Sequence, residues 1–478
     1  MKRSWAGSAI AVASTAALVG AVPAAGASAP VPGLRLAVAS PSVTIDSYGG
    51  SRVRLDLGAY LIAGDQPFEV QIKRKSYADP ITAVQLDPGG SKHPLKGAVL
   101  TDFSGFRRFF YIRVTNSAGQ QVVGRYQKFC PNGESSRTRP DAPGTSPYPE
   151  GCGGNPFTVG DTWGIQAGWG APVNSWDTSS VKLAPGHYTA TIGVAAAYRD
   201  MLGLPREVQQ VKLTVRSGGE FAARSAHSAG RAPTPAAAAP TGPDSVPAGP
   251  RPDLRPAPAW GIQTTSGSSP RAGRNYLAFS ATVWNAGPSP LVVDGFRRSG
   301  QDLMDAYQYF YDSAGNEVGH AGTGTMEWDP RPGHMHWHFT DFASYRLLNS
   351  SKKEVVRSQK EAFCLADTDV MDYTVPNANW HPYNTDLHTA CGDHTALAVR
   401  EVLDVGSGDT YEQYLPGQSF DLRGLPNGTY YIQVVANPRH RLYESDESNN
   451  ISLRKVIIGG YRNHRTVTVP PYQLINRS

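Results

Sequence analysis

Short apolar segments recur along this chain with turn-forming residues between them, and in several of these segments apolar and polar residues alternate. Examples are residues 51–57, 110–115 and 211–215 in the first half and residues 276–285 and 424–435 in the second half. A period of two places the apolar side chains on one face of a β-strand. Several short strands separated by turns are typical of β-sandwiches. We therefore predict an all-β protein.

The composition divides the chain into several regions. Residues 34–216 predict an N-terminal β-sandwich domain, and residues 252–460 predict a second β-sandwich domain. Residues 217–251 between them are rich in proline and alanine and hold few large apolar side chains, which predicts an extended linker. Residues 461–478 are expected to form a C-terminal tail. The N-terminal domain holds no group of catalytic residues, so binding, spacing and folding assistance are all open as its role.

The first 27 residues have the features of a secretory signal peptide. Two basic residues precede an apolar segment at residues 9–22, and small residues follow at 25–27. We expect cleavage after Ala27 rather than after Ala29, because the second cut would leave a proline first. An uncleaved membrane anchor is the alternative, but the apolar segment is short and rich in alanine. We predict a secreted, extracellular protein with no stable membrane anchor.

Composition and charge narrow the class of protein further. The 478 residues include 50 glycines and 38 prolines, and 18% of the residues are charged. This composition favours β-rich modules with many turns over coiled coils or long helices. The formal net charge is +5. The chain has no dense run of lysine and arginine, so we expect no nucleic-acid partner.

The chain contains four cysteines, Cys130, Cys152, Cys364 and Cys391. In an exported protein an even number of cysteines predicts disulfide bonds, and four cysteines allow three pairings. We favour Cys130 with Cys152 and Cys364 with Cys391, because the other pairings must cross the predicted linker.

Three histidines stand at alternate positions, His334, His336 and His338. On a β-strand all three imidazole rings leave the same face. Three imidazoles without a thiolate suit copper, zinc, nickel or iron, and copper(II) binds such a set most tightly. The pattern therefore predicts a metal site. The alternative is that the three histidines are unrelated polar residues on the surface.

The blocks that follow these histidines come in a particular order. They are Lys-x-x-Phe-Cys-Leu-x-Asp-Thr at residues 360–368, Cys-x-x-His-Thr at residues 391–395 and Asp-Thr-Tyr at residues 409–411. Together with the histidines, this order resembles the catalytic domain of the lysyl oxidase family. The resemblance covers roughly residues 252–460 and says nothing about the N-terminal domain.

The resemblance implies a copper-dependent amine oxidase that makes its own quinone. The three histidines match the copper(II) ligands, and Lys360 and Tyr411 match the residues that form lysine tyrosylquinone. Tyr414 is the local competitor of Tyr411. Burial of Lys360 would lower its pKa and supply the neutral amine that adds to an oxidised ring. The implied reaction converts a primary amine, with peptidyl lysine favoured, and O₂ to an aldehyde, H₂O₂ and ammonia.

The base that removes the substrate proton is less defined by the sequence. His394 lies in a block that resembles a histidine-containing block of the family, and it is our candidate, either as the base or as a hydrogen-bond partner of another site residue. Asp367 and Asp393 are the alternatives.

A calcium site is also implied by the resemblance. The segment at residues 443–450 resembles an acidic, asparagine-rich calcium loop of the family, and oxygen ligands suit calcium. The residues that match its ligands are Asp253, the carbonyl of Leu254, Glu444, Asp446, Asn449 and Asn450. The alternative is an acidic turn that holds no ion.

One departure from the family concerns cystines. Animal members carry a cystine beside their tyrosine that is absent from residues 405–414 here, and the family partners of Cys364 and Cys391 are absent too. These losses leave the loop positions, and hence substrate access, open. The rival functions are a non-enzymatic secreted adhesion module that binds copper and calcium, and copper oxidation chemistry without a quinone.

Overall fold

The computed structural model describes residues 33–48, 51–96, 100–173, 180–217, 239–266, 273–312, 315–331, 335–358, 360, 362–382 and 389–476. Within these ranges nearly all regular structure is β-strand, so the all-β prediction is confirmed. The predicted signal peptide, most of the predicted linker (residues 218–238) and His334 lie outside the described residues. Among the described residues, no helix has the length and apolar character needed to cross a membrane.

The N-terminal half contains fifteen described strands and one short helix. They are β1 (Leu34–Val38), β2 (Ser42–Ser47), β3 (Arg52–Val53), β4 (Ala59–Ala63), β5 (Phe68–Lys73), β6 (Thr82–Leu86), β7 (Lys92–Pro94), β8 (Phe106–Asn116), β9 (Gln121–Phe129), β10 (Ser136–Arg137), β11 (Gly160–Ile165), β12 (Trp169–Pro172), β13 (Val181–Lys182), β14 (Gly186–Val194), α1 (Ala196–Leu202) and β15 (Val208–Ser217).

Sheets of this half pack around one apolar core. The largest is five-stranded, in the order β2-β15-β14-β8-β9, and two four-stranded sheets have the orders β1-β4-β12-β10 and β11-β5-β6-β7. Alternation in β8 and β15 turns every second side chain inward. The inward side chains form one buried cluster that includes Phe106, Phe109, Phe110, Phe129 and Trp163. The apolar pattern therefore fixes which face of each strand is buried.

The C-terminal half contains seventeen described strands. They are β16 (Leu254–Pro256), β17 (Trp260–Thr265), β18 (Tyr276–Asn285), β19 (Leu291–Arg297), β20 (Leu303–Tyr311), β21 (Glu317–Asp329), β22 (His336–Thr340), β23 (Ala343–Leu348), β24 (Glu354–Arg357), β25 (Ala362–Phe363), β26 (Asp369–Val370), β27 (Ala398–Leu403), β28 (Ser407–Tyr411), β29 (Ser419–Asp421), β30 (Gly428–Ala436), β31 (Ile451–Tyr461) and β32 (His464–Thr468).

Three sheets surround the second core. Their orders are β25-β22-β21-β20-β19-β27, β16-β18-β28-β26 and β24-β23-β30-β31-β32, and β17 and β29 also pair with β18. The buried cluster between them includes Phe279, Trp337, Phe339, Tyr345 and Phe363. Residues of β22, β25 and β28 belong to this cluster, so the strands that carry the candidate site are packed into the core.

Two segments outside the predicted domains also contact the folded halves. In the predicted linker, the amide of Ser245 donates to the carbonyl of His320 in β21 at 2.7 Å. In the predicted tail, residues 464–468 form β32, and the amide of Leu474 donates to the carbonyl of Tyr77 at 3.1 Å.

Candidate active site

The histidine strand β22 lies inside the six-stranded sheet. It pairs with β21 on one side and with β25 on the other. His336 and His338 project from the same face, as the alternation predicts, and their rings are 4.7 Å apart at an interplanar angle of 81°. His338 is only 1% exposed, and His336 is half-buried.

The two rings direct their Nε2 atoms toward the same point, and the distance between these atoms can be compared with the geometry of a metal site. The Nε2 atoms of His336 and His338 lie 2.9 Å apart. Imidazole nitrogens bind zinc at about 2.0–2.1 Å, and two such ligands at right angles around one ion are about 2.9 Å apart. The described residues contain no group of three or more potential metal ligands. His334 lies outside them, and the pair that is described fits a shared metal ion.

A carboxylate lies behind the histidine pair. The Nδ1 atom of His338 is 3.5 Å from Oδ2 of Asp329, and Arg331 donates from Nε to both oxygens of that carboxylate. Burial opposes ionisation of Asp329, but the Arg331 guanidinium outweighs it and holds the pKa of the carboxyl below its usual range. An ionised carboxylate at Nδ1 orients the ring and leaves Nε2 to face a ligand.

Lys360 and Tyr411 meet in the core beside this strand. Lys360 lies two residues before the start of β25, and Tyr411 ends β28. The Nζ atom of Lys360 lies 4.3 Å from the centroid of the Tyr411 ring, and both residues are buried. Tyr414, the local competitor, is 76% exposed. The fold therefore brings Tyr411 rather than Tyr414 to the lysine.

The Tyr411 ring is fixed at its hydroxyl and along its edge. Its Oη accepts from the amide of Cys364 at 2.8 Å and donates to the carbonyl of the same residue at 3.2 Å. The Phe363 ring packs on it edge to face, with centroids 4.9 Å apart. These contacts hold the ring in one orientation, with Lys360 over its face.

The Lys360 amine has an unusual environment. It is buried, and among the described residues its Nζ has no hydrogen-bond partner. Burial lowers the pKa of Lys360 to about 8, and the Asp409 carboxylate opposes that shift. An unpaired buried ammonium is costly, so the site favours the neutral amine. An amine held over an aromatic ring without a hydrogen-bond partner fits a covalent crosslink to that ring.

Two buried carboxyl groups near the pair were missed by the sequence predictions. Asp409 lies two residues before Tyr411 on β28 and therefore on the same face, and its Oδ2 has no hydrogen-bond partner among the described residues. Glu401 is fully buried and accepts from the amide of Leu365 at 3.0 Å. Burial raises the pKa of both groups well above normal, and Lys360 opposes the shift at Asp409. The alternation of Asp409 and Tyr411 is the signal that points to the first of them.

His394 lies on the other side of the histidine strand. Its ring packs against Trp328 with centroids 4.9 Å apart, and its Nε2 lies 2.8 Å from Oδ1 of Asp302. Among the described residues it shares no hydrogen bond, ion pair or ring contact with Lys360 or Tyr411.

The two alternative bases have different surroundings. Asp393 is exposed, and its Oδ1 accepts from the hydroxyl and the amide of Thr395, which lower its pKa. Asp367 is buried and accepts from the amide of Asp404 at 2.7 Å. Burial, followed by the charge of Asp404, raises the pKa of Asp367 well above normal. Asp367 thus lies in a second carboxyl pair, and Asp393 faces solvent.

The structure contains both local disulfides, Cys130–Cys152 and Cys364–Cys391. The second one fixes the residue whose backbone holds the Tyr411 hydroxyl. Cys391 also accepts at its carbonyl from the amide of Trp337 in the histidine strand, at 3.1 Å. This disulfide therefore joins the three segments of the candidate site.

The residues of the predicted calcium site come together as well. Asn449 donates to Oδ1 of Asp253 at 2.9 Å and to Asp446 at 3.0 Å, and Asn450 donates to Glu444 at 2.8 Å. Glu444 also accepts from the amide of Leu254 at 2.7 Å and from the side chain of Asn437. The Oδ1 atoms of Asn449 and Asn450 are buried and have no partner among the described residues. Two orphaned amide oxygens beside carboxylates fit an oxygen-seeking cation.

These observations define an all-β protein in which a buried lysine–tyrosine pair and two convergent histidines lie on segments that pack into one core. Residues 311–468 match the lysyl oxidase family model, so the C-terminal half contains a lysyl oxidase family segment, as the sequence predicted. The match begins after the N-terminal half.

Curated relatives agree with this assignment. Over 148 residues the chain is 30% identical to protein-lysine 6-oxidase of Sus scrofa, and the aligned region covers 30% of this chain and 53% of that protein. It is 31% identical over 148 residues to protein-lysine 6-oxidase of Gallus gallus (30% of this chain, 31% of that protein). It is 30% identical over 141 residues to lysyl oxidase homolog 4 of Homo sapiens (29% and 17%). The chain thus spans about half of the first relative and less of the others.

Proposed function

We propose that this protein is a secreted, copper-dependent amine oxidase that oxidatively deaminates primary amines, with peptidyl lysine as the favoured substrate class. The products are an aldehyde, H₂O₂ and ammonia. The observation that carries the proposal is the buried Lys360 amine over the Tyr411 ring, in the same core as the strand that bears the paired histidines. The relatives named protein-lysine 6-oxidase support the choice of substrate.

His334, His336 and His338 would hold the copper ion, and Lys360 and Tyr411 would form lysine tyrosylquinone. When present, the quinone supplies an electrophilic carbonyl that takes two electrons from the substrate's carbon–nitrogen bond. The carboxylate of Asp329 keeps the His338 ring oriented. The backbone of Cys364 orients the Tyr411 ring.

Proton movement at the site falls to groups in the core. Lys360 must lose a proton from Nζ to act as a nucleophile, and burial makes that loss accessible near pH 8. Asp409 is the carboxylate whose charge acts most strongly on that amine, so we assign its unpartnered Oδ2 as the proton acceptor. Phe363 and Phe339 line the core beside the pair and exclude water.

We further propose that Asp253, the Leu254 carbonyl, Glu444, Asp446, Asn449 and Asn450 bind calcium. Residues near the start of the C-terminal half then share one ion with the loop between β30 and β31. The expected role is stabilisation rather than chemistry. Export into an oxidising compartment is supported by the two disulfides.

The test is quinone staining together with peroxide release. Protein secreted with copper is expected to stain for a quinone and to release peroxide from a lysine-containing peptide. Lys360→Ala and Tyr411→Phe should each abolish both signals, and the matched control Tyr414→Phe should keep them. Copper-loaded protein that neither stains nor releases peroxide would instead favour a copper- and calcium-binding adhesion module. Peroxide without staining would favour quinone-free copper chemistry.

A further inference from the structure

One loop of the N-terminal half reaches into the C-terminal half. We name residues 153–160 the docking segment. Asn155 is buried, and its Nδ2 donates to Oγ1 of Thr282 at 2.9 Å and to Oδ2 of Asp369 at 3.4 Å. The hydroxyl of Thr158 donates to the carbonyl of Val370 at 2.7 Å. These bonds join residues far apart in sequence, so they bind one half of the chain to the other.

Backbone and apolar contacts extend the same interface. The amide of Val159 donates to the carbonyl of Met371 at 2.7 Å, and the amide of Tyr373 donates to the carbonyl of Gly160 at 3.0 Å. A separate buried cluster spans the two halves; its members include Tyr77, Phe157, Trp284, Met371, Tyr472 and Ile475. The Phe157 ring contacts the rings of Tyr77 and Tyr472 at 5.2 and 5.8 Å. A dry aromatic cluster with paired backbone groups is a stable interface.

This interface bears on the strand that carries Tyr411. In its sheet β28 lies between β18 and β26. The side chain of Asn155 bonds to both neighbours, to Thr282 of β18 and to Asp369 of β26. The hydroxyl of Thr282 in turn lies 2.6 Å from that of Thr410, the residue before Tyr411. The docking segment thus clamps the two strands that flank β28.

We propose that the N-terminal half is a built-in partner of the C-terminal half, which fixes the Tyr411 strand through the docking segment and stays bound when the chain is cut between residues 218 and 238. Asn155 is then a positioning residue, and it acts on Tyr411 through Thr282 and Thr410. The structural part of this inference stands on the interface alone, and only its consequence for the quinone rests on the proposed function.

Hydrogen–deuterium exchange of the full-length, copper-free protein tests the clamp. Asn155→Asp removes the amide donor and places a carboxylate against Asp369. We expect the peptide that contains residues 407–411 to exchange about tenfold faster, which corresponds to the loss of about one buried hydrogen bond. The matched control is Asn132→Asp, because Asn132 is also buried and, within the described part of the chain, its side chain bonds to Thr162 and Gly164 of its own half. The control should leave that peptide unchanged; equal exchange in both variants would overturn the clamp.

Association of the halves is tested by cutting the chain. With a specific protease site placed between residues 218 and 238, the cut fragments should co-elute in gel filtration. Gly160→Ala should separate them, because a methyl group there would overlap the Asp372 carboxylate. Gly154→Ala is the matched control, since nothing lies within 4 Å of that position. Fragments of the unmodified sequence that separate would overturn the proposal.

The yield of crosslinked Tyr411 links the clamp to the chemistry. At equal copper loading, Asn155→Asp should lower the crosslinked fraction several-fold relative to Asn132→Asp. Equal crosslinked fractions would overturn the positioning role. If neither variant nor the parent protein forms a crosslink, the proposed function fails, while the exchange and co-elution results still decide the clamp.

Discussion

Lys360 is the residue at which burial and chemistry coincide. The side chain is 5% exposed, and burial lowers its pKa from 10.5 to about 8. The unfolded chain therefore binds more protons between those two values, and the stability of the native protein rises with pH across that window. Below pH 8 the full cost of the buried charge is present.

A first prediction follows for Lys360→Met in copper-free protein, where no crosslink forms. At pH 7 the variant should be more stable than the parent by about 3 kcal/mol, because the methionine carries no charge. The gain should shrink as the pH approaches 10. Urea unfolding at pH 7, 8.5 and 10 measures it. Lys353→Met, at an exposed lysine, is the control; an equal gain at all pH values would contradict the burial argument.

A second prediction concerns Asp409. Its carboxylate favours the protonated amine of Lys360, so Asp409→Asn should lower the pKa of Lys360 further. The pH midpoint for crosslink formation should move to lower pH by about one unit, and crosslink formation should be slower because no carboxylate accepts the proton of Lys360. Stopped-flow absorbance after copper addition across pH 6–10 measures the midpoint. Asp393→Asn, at an exposed carboxylate, should leave the midpoint in place.

At the level of elements, local pattern predicted some strands well and others poorly. Residues 276–285 form β18 over the whole predicted length, and residues 211–215 lie within β15. Residues 51–57 pair only at Arg52–Val53. Val53, Leu55 and Leu57 are buried as the alternation predicts, but among the described strands none extends the ladder beyond Val53. Alternation of apolar and polar residues predicts which side chains are buried. Whether the segment forms a strand also depends on a partner strand beside it.

The candidate site was predictable to a different extent at each residue. Alternation alone placed His336 and His338 on one face of a strand. The contact between Lys360 and Tyr411 was predicted only from the family resemblance, because the two residues lie far apart in sequence. The hydrogen bond from Cys364 to the Tyr411 hydroxyl likewise spans a sequence separation of 47. Such long-range contacts depend on strand order, which local sequence does not encode. Asp409 was missed because its importance depends on the same packing.

A third prediction is made for the disulfide that joins these elements. Cys364→Ser with Cys391→Ser opens a loop with a sequence separation of 27 residues. The free energy of unfolding should fall by about 3–4 kcal/mol. The crosslinked fraction should fall too, because the backbone of Cys364 no longer fixes the Tyr411 hydroxyl. Denaturant unfolding and peptide mapping measure the two effects. A full crosslink yield would show that the hydrogen bonds alone suffice.

At the scale of the whole molecule, the N-terminal and C-terminal halves share a buried interface. The domain boundary at the proline- and alanine-rich segment stays a prediction, and the docking segment and the region around Tyr472 join the regions on its two sides. Asn155 and Thr158 are buried polar residues whose partners in the other half are far away in sequence, so local pattern could not predict the interface. The interface explains why two polar side chains lie buried at the edge of the N-terminal sandwich.

A fourth prediction concerns calcium, which would tie together distant parts of the C-terminal half. Removal of calcium with a chelator should lower the melting temperature by several degrees, since an ion at 100 times its Kd stabilises by about 2.7 kcal/mol. Asp446→Ala should abolish the response. Glu447→Gln is the control, because that exposed carboxylate pairs with His440 instead. A melting temperature that does not change on chelation would contradict the calcium proposal and indicate an acidic turn that holds no ion.

The central claim is that Lys360 and Tyr411 become one cofactor. The most direct measurement is intact mass followed by tryptic mapping of protein secreted with copper present. We expect a crosslinked peptide that contains both residues, with the mass change of ring oxidation and coupling, and its loss in Tyr411→Phe. Two separate, unmodified peptides from fully copper-loaded protein would contradict it.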